Sequence, residues 1–109
     1  MSQHAPIPPF DIDYDLLVTR AELDVAAERR RQVKEEGWTP EHDDKHNDPA
    51  RLANAAACYA TGAAPAFGTD HYWPWDWKWW KPTTQRRNLV KAAALIIAAI
   101  EQIDRKESE

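Results

Sequence analysis

An all-α domain of three helices, with a long tryptophan-rich loop between the second and third, is predicted by three observations. Helix-capping residues stand at Thr19, Asp48 and Thr83 or Thr84. Gly37 and Gly62 supply stops for the first two helices, and an aliphatic repeat runs from Leu89 to Ile103 at alternating spacings of four and three. The 109 residues suit one domain, read as an N-terminal arm over 1–18 and a helical domain over 19–109.

The arm, "MSQHAPIPPFDIDYDLLV", mixes Pro6, Pro8 and Pro9 with isolated apolar residues, and Leu16, Leu17 and Val18 tack its end onto the body. The first helix is expected from Arg20 to Glu36. Thr19 caps it, and Glu22, three residues on, completes a capping box. Its apolar stripe is thin, with Leu23, Ala26, Ala27 and Val33 as the clear positions, so "ERRRQVKEE" faces water or lines a polar cleft.

The second helix follows the cap Asp48 and first-turn Pro49 and ends at Gly62. Leu52, Ala55, Ala56 and Tyr59 then share one face, and the alanines admit close approach by a neighbour. The third spans about Thr84 to Arg105. Leu89, Ala93, Ile96, Ile100 and Ile103, widened by Val90 and Ile97, are expected to form its core face, and the same seam suits a homo-oligomer.

Net charge −4 argues against a long nucleic acid duplex as partner, which calls for a basic surface, and leaves discrete anionic ligands open. The longest apolar run, Ala92 to Ile100, is far short of the ~20 residues of a membrane span. No secretory pattern opens the sequence, and the lone Cys58 sits in a helix-like segment without an activating histidine. A cytoplasmic, soluble protein without a membrane partner is the expectation. Three dispersed glycines exclude a phosphate-cradling glycine loop.

Three constellations carry possible chemistry. In "EEGWTPEHDDKHND", carboxylates and imidazoles crowd together. Glu36, His42, Asp43 and Asp44, with Glu35 beside them, form a possible shell for magnesium or manganese, against the plainer reading of a solvated loop. His42 and His46 echo the zinc-protease helix, but with an aspartate in the base's place and little room between Pro40 and Pro49. The cofactor expectation is therefore none, or a divalent cation if the protein is a hydrolase.

The second constellation is "DHYWPWDWKWWKP", which holds five of the six tryptophans. Trp73, Trp75, Trp77 and Trp79 recur every two residues, so an extended strand would point them one way and Trp80 the other. Each buried tryptophan contributes roughly 4–6 kcal/mol of gross transfer energy, so several belong to the core. Pairing every indole N–H in so small a loop is difficult, and one or two, among Trp73, Trp75, Trp77, Trp80 and the separate Trp38, are expected to stack on a ligand.

The third is cationic: Arg29, Arg30 and Arg31 on the first helix, Lys81, and Arg86 with Arg87 in the first turn of the last. Helix dipoles favour acids at that point, so guanidinium groups there suit phosphate or carboxylate, unless Asp76 or the acidic run pairs with them. The expected function is binding of a small anionic ligand such as a nucleotide, with the base stacked on an indole and phosphate held by Arg29 to Arg31 or by Arg86 and Arg87. A metal-dependent nucleotide hydrolase and a protein inhibitor with a tryptophan hot spot are the alternatives.

Together "AAERRRQVKEEGWTPEHDDKH", "LANAAACYA" and "WPWDWKWWKPTTQRRNLVKAAALIIAAIEQIDR" resemble a group of small proteins encoded by bacteriophages and prophages. The resemblance spans residues 25 to 105. It implies a phage accessory role in the bacterial host cytoplasm, such as counter-defence by sequestering a nucleotide immune signal, and transfers no catalytic residue. A looser likeness is to all-helical nucleotide pyrophosphohydrolases, whose magnesium is held by two helix-borne carboxylate motifs. Glu35 and Glu36 match part of the first, whereas Lys91 stands where the second would want an acid.

Overall fold

The computed structural model describes residues 12–13, 18–62 and 73–109. Two residue pairs, β1 (Ile12–Asp13) and β2 (Val18–Thr19), form a minimal antiparallel ladder ahead of the helices. The remainder of the expected arm, and the stretch 63–72 of the loop, lie outside the described residues.

Among the described residues four helices follow, one more than predicted: α1 (Arg20–Lys34), α2 (Pro40–His46), α3 (Pro49–Thr61) and α4 (Gln85–Glu107). The added α2 corrects the loop reading of the acidic run. Thr39 Oγ1 accepts from His42 N and Pro40 occupies the first turn, so two turns form between the prolines despite the short length. The other caps are as predicted. Thr19 and Glu22 make the reciprocal capping box of α1, Asp48 caps α3, Thr84 caps α4, and Gly62, at φ 67°, closes α3 in the left-handed conformation. No described helix is long and apolar enough to cross a membrane.

The core reverses the expected face of α4. α3 and α4 form the principal pair, meeting through Leu52, Ala55, Ala56, Cys58 and Tyr59 on one side and Ala92, Leu95, Ala98 and Ala99 on the other. Leu89, Ile96, Ile100 and Ile103, assigned to the core from their spacing, are 43–51% exposed. α4 is apolar on two faces, and the alanine-rich α3 packs against the face that lets backbones approach most closely; the bulkier aliphatic face is left outside.

Alanine-to-alanine packing encloses little volume, and tryptophans supply the rest. Trp73 is buried in the core cluster, and Trp38, Trp75, Trp79 and Trp80 pack against it. The uniform strand expected for the tryptophan loop is broken at Asp76, whose carboxylate accepts from Lys78 N and caps a 3₁₀ turn over Trp77–Trp79. Trp77 is consequently thrown outward and is 58% exposed, while Trp79 turns back onto the helices.

Candidate functional site

A cavity of about 310 Å³ opens where α1, the start of α4 and the end of the tryptophan loop meet. Its aromatic walls are Trp38, Tyr59 and Trp79, and its charged lining comprises Arg31, Lys81, Arg87 and Lys91 facing Glu28 and Glu36. Four cations against two carboxylates make it locally positive in a protein of net charge −4.

Each group is placed by local geometry. On α1, Glu28, Arg31 and Gln32 stand three and four residues apart and share one face. After the helix ends, Gly37, at φ 77°, turns the chain so that Trp38 N donates to Gln32 O at 2.9 Å. Arg29 Nη1 donates to Trp38 O at 3.3 Å, so both sides of this residue are held. Tyr59 Oη donates to Trp79 O and accepts from Lys81 N, both at 3.1 Å, tying the loop's end to α3. Arg87 and Lys91, four apart, project from one face of α4, and Lys91 Nζ donates to Lys81 O at 2.7 Å and lies 5.3 Å from the Tyr59 ring centre.

Glu28 organises the cations. Its carboxylate accepts from Arg31 Nε and Nη2 at 2.9 Å each, from Arg87 Nη2, and from Gln32 Nε2 at 3.4 Å. Burial opposes its charge, yet hydrogen bonding and the charges of Arg31 and Arg87 outweigh it and hold the carboxyl below the ordinary glutamate range. Arg31 is held firmly protonated, first by its hydrogen bond to Glu28 and further by Glu36 at 2.9 Å. Burial and the neighbouring Arg87 together pull the Lys91 ammonium below the ordinary lysine value. Gln32 lines the cavity and is 2% exposed, and its Oε1 is buried with no hydrogen-bond partner.

The expected arginine cluster is thus divided. Arg31 reaches the cavity. Arg29 is buried and works structurally, donating to Glu101 at 3.0 Å and lying 3.6 Å from Asp43, which joins α1 to α4 and α2. Arg30 is exposed on the outer side of α1. Arg87 lines the cavity but Arg86 does not, being paired with Asp24 at 2.9 Å. Both partners, Asp24 and Glu28, belong to α1 rather than to Asp76 or the acidic run.

The tryptophans divide likewise. Trp73 donates its indole N–H to Asp76 O at 3.1 Å inside a ring cluster with Tyr59, Trp75 and Trp80, so Trp73 and Trp80 serve the core. Trp75 donates to Asn47 Oδ1 at 2.9 Å and lines a second depression with His42, His46 and Arg51. Trp38 and Trp79, with ring centres 6.3 Å apart, form the wall between this depression and the cavity. Among the expected stacking residues only Trp38 borders the cationic cavity.

The carboxylates and imidazoles suggested for a metal do not converge. Glu36 pairs with Arg31, Asp43 with Arg29 and Asn47, and Asp44 with Arg105. His42 Nδ1 lies 3.7 Å from Asp43 Oδ1, and its ring is tilted against that of His46 with centres 4.8 Å apart. Burial raises the Asp43 carboxyl, against the charge of Arg29, whereas the Arg105 hydrogen bond lowers Asp44. Among the described residues no three such groups are arranged to hold a metal ion.

Glu28, Gln32, Tyr59, Trp79 and Lys91 were missed as site residues. Lys91 had a legible signal, since it repeats Arg87 at i+4, a like-charge pair that destabilises a helix unless something else uses it. Gln32 and Tyr59 had none, because a buried amide and a phenol acquire their role only from what packs against them. No family model, curated protein or solved structure matches the chain.

Proposed function

We propose that the protein binds a small anionic ligand of the nucleotide class in this cavity and holds it without cleaving it. The supporting observation is the convergence of Arg31, Lys81, Arg87 and Lys91 on a recess walled by Trp38, Tyr59 and Trp79. Guanidinium groups take phosphate oxygens through paired hydrogen bonds, and indole faces take a base. A volume of about 310 Å³ falls at the lower end of the range of small-ligand sites.

Binding alone is favoured over hydrolysis because Glu36, Asp43 and Asp44, which would have to gather a divalent ion, are each engaged with an arginine. With the likeness to small phage-encoded proteins, retention of an intact ligand is compatible with sequestering a nucleotide signal in an infected bacterium.

The test is to mix the purified protein with a panel of linear and cyclic nucleotides, with and without magnesium or manganese. The filtrate is chromatographed before and after heat denaturation. The expected result is one nucleotide class that disappears from the filtrate and returns intact on heating, independent of metal. A metal-dependent product overturns the binding reading in favour of hydrolysis. If every nucleotide stays in the filtrate, the nucleotide assignment fails.

A further inference from the structure

The aliphatic face of α4 that the core leaves uncovered is a continuous seam. Leu89, Ala93, Ile96, Ile100 and Ile103 recur at spacings of four and three, and at 100° per residue they fall within an arc of about 80° running about 21 Å along the helix. Leu89, Ile96, Ile100 and Ile103 are 48, 47, 51 and 43% exposed, a concentration of large aliphatic side chains unlike the scattered single residues of an ordinary surface. Ala93, in the middle, lets a facing backbone come close.

The charges along the same face select the occupant. Arg86 stands at its N-terminal end, and Asp104 and Glu107 at its C-terminal end, all three in exposed positions. A second α4 laid parallel would oppose arginine to arginine and carboxylate to carboxylate. Laid antiparallel, it brings Arg86 of each chain between Asp104 and Glu107 of the other, with Leu89 meeting Ile103 and Ile96 meeting itself on the two-fold axis. Asp24, which pairs with Arg86 at 2.9 Å, leaves that guanidinium 49% exposed and able to reach further acceptors.

We propose that the protein forms a two-fold homodimer through antiparallel packing of α4 on α4, centred on Ile96. The cavity faces another side of the helix, through Arg87, Lys91 and Leu95, so dimerisation and ligand binding are separate properties and neither rests on the other.

Sedimentation equilibrium of the full chain and three variants tests this, and oxidation of two cysteine variants tests the orientation. The wild type is expected to self-associate as a dimer. Ile96→Glu, which places two carboxylates on the axis and removes two apolar contacts, is expected to weaken association about 100-fold while leaving the far-ultraviolet circular dichroism spectrum and nucleotide binding unchanged. Arg86→Glu is expected to weaken it about tenfold, and the double variant Arg86→Glu with Glu107→Arg to restore it. Orientation is read by oxidation: Ile96→Cys cross-links with itself, whereas Ile103→Cys does not, since its partner position is Leu89. Cys58 is fully buried and does not interfere. A wild type that stays monomeric at the highest attainable concentration overturns the dimer, whatever else covers the seam. Equal cross-linking by Ile96→Cys and Ile103→Cys overturns the antiparallel arrangement.

Discussion

Trp73, Trp77 and Trp79 lie within seven residues of one another and are assigned three different duties, which alanine substitution separates. Trp73 is 8% exposed, so Trp73→Ala removes most of a side chain that buries about 150–250 Å², worth about 4–6 kcal/mol in transfer energy. It also deletes ring contacts at 5.0, 5.3 and 5.5 Å to Trp80, Trp75 and Tyr59. Partial collapse of the site reduces the cost to about 3–5 kcal/mol, much of the 5–15 kcal/mol that holds an ordinary domain. At about 4–8 °C per kcal/mol the melting temperature falls by at least about 12 °C. Trp77→Ala, at a position 58% exposed, is expected to change stability by less than about 0.5 kcal/mol. Trp79→Ala sacrifices its packing against the core and its edge contact with Trp38, about 2 kcal/mol for a half-buried indole, and lowers nucleotide affinity about tenfold by removing one wall of the cavity. Urea unfolding followed by far-ultraviolet circular dichroism reads the first two, because deleting an indole distorts fluorescence; titration calorimetry reads the third. Equal losses for Trp73→Ala and Trp77→Ala, or unaltered affinity in Trp79→Ala, would refute this division of labour.

Arg87→Met removes one cation from the cavity while Arg31 still engages Glu28, so nucleotide affinity should fall about 10–100-fold in a calorimetric titration of folded protein. Because burial and Arg87 depress the Lys91 ammonium below its ordinary 10.5, anion affinity should decline on the alkaline side before free lysine titrates, and Lys91→Arg should abolish that decline. Glu28, held below its ordinary 4.5, contributes stability that is fully present above that pH and is lost as pH falls through its lowered folded value. Glu28→Gln should flatten that acid limb of the urea midpoint and cost about 3 kcal/mol at neutral pH, since both arginines lose their charged partner.

What could be read from the sequence was what is local. Thr19 with Glu22, Asp48 with Pro49, Gly62, and Thr84 each act within one helical turn, and each stands at the boundary it was expected to set. The core face of α4 was misread because periodicity identifies apolar faces without ranking them. Leu89 to Ile103 is the more hydrophobic stripe, but Ala92, Leu95, Ala98 and Ala99 fit the alanines of α3, and only the shape of that partner decides. The tryptophan loop was misread for a comparable reason. A period of two assumes an unbroken strand, and one side-chain hydrogen bond from Lys78 N to Asp76 redirects Trp77 and Trp79. Half of the cationic cavity was legible through the misplaced arginines at the start of α4, but the other half comes from α1, and no spacing in the chain announces that Glu28 meets Arg87 across 59 positions.

The same cavity discriminates between a bare anion and a nucleotide. Phosphate needs only the guanidinium and ammonium groups, and these alone would be satisfied by inorganic phosphate. Gln32 Oε1 is different: it is a buried acceptor beside Glu28 with no donor in reach, and a buried carbonyl without a partner costs about 1–3 kcal/mol. Gln32 lines the cavity but this oxygen is buried, so the amide must turn outward to meet a ligand, and a ribose hydroxyl or an exocyclic amine that draws it out recovers that cost. Nucleoside monophosphates should therefore bind at least about tenfold more tightly than inorganic phosphate, and in Gln32→Met, which retains the shape and removes the acceptor, this ratio should shrink by about tenfold while phosphate affinity stays within about twofold. If phosphate and nucleotide lose affinity in parallel, Gln32 supports Glu28 and the arginines only and has no part in recognition. If the ratio alone collapses, the amide reads the ligand directly.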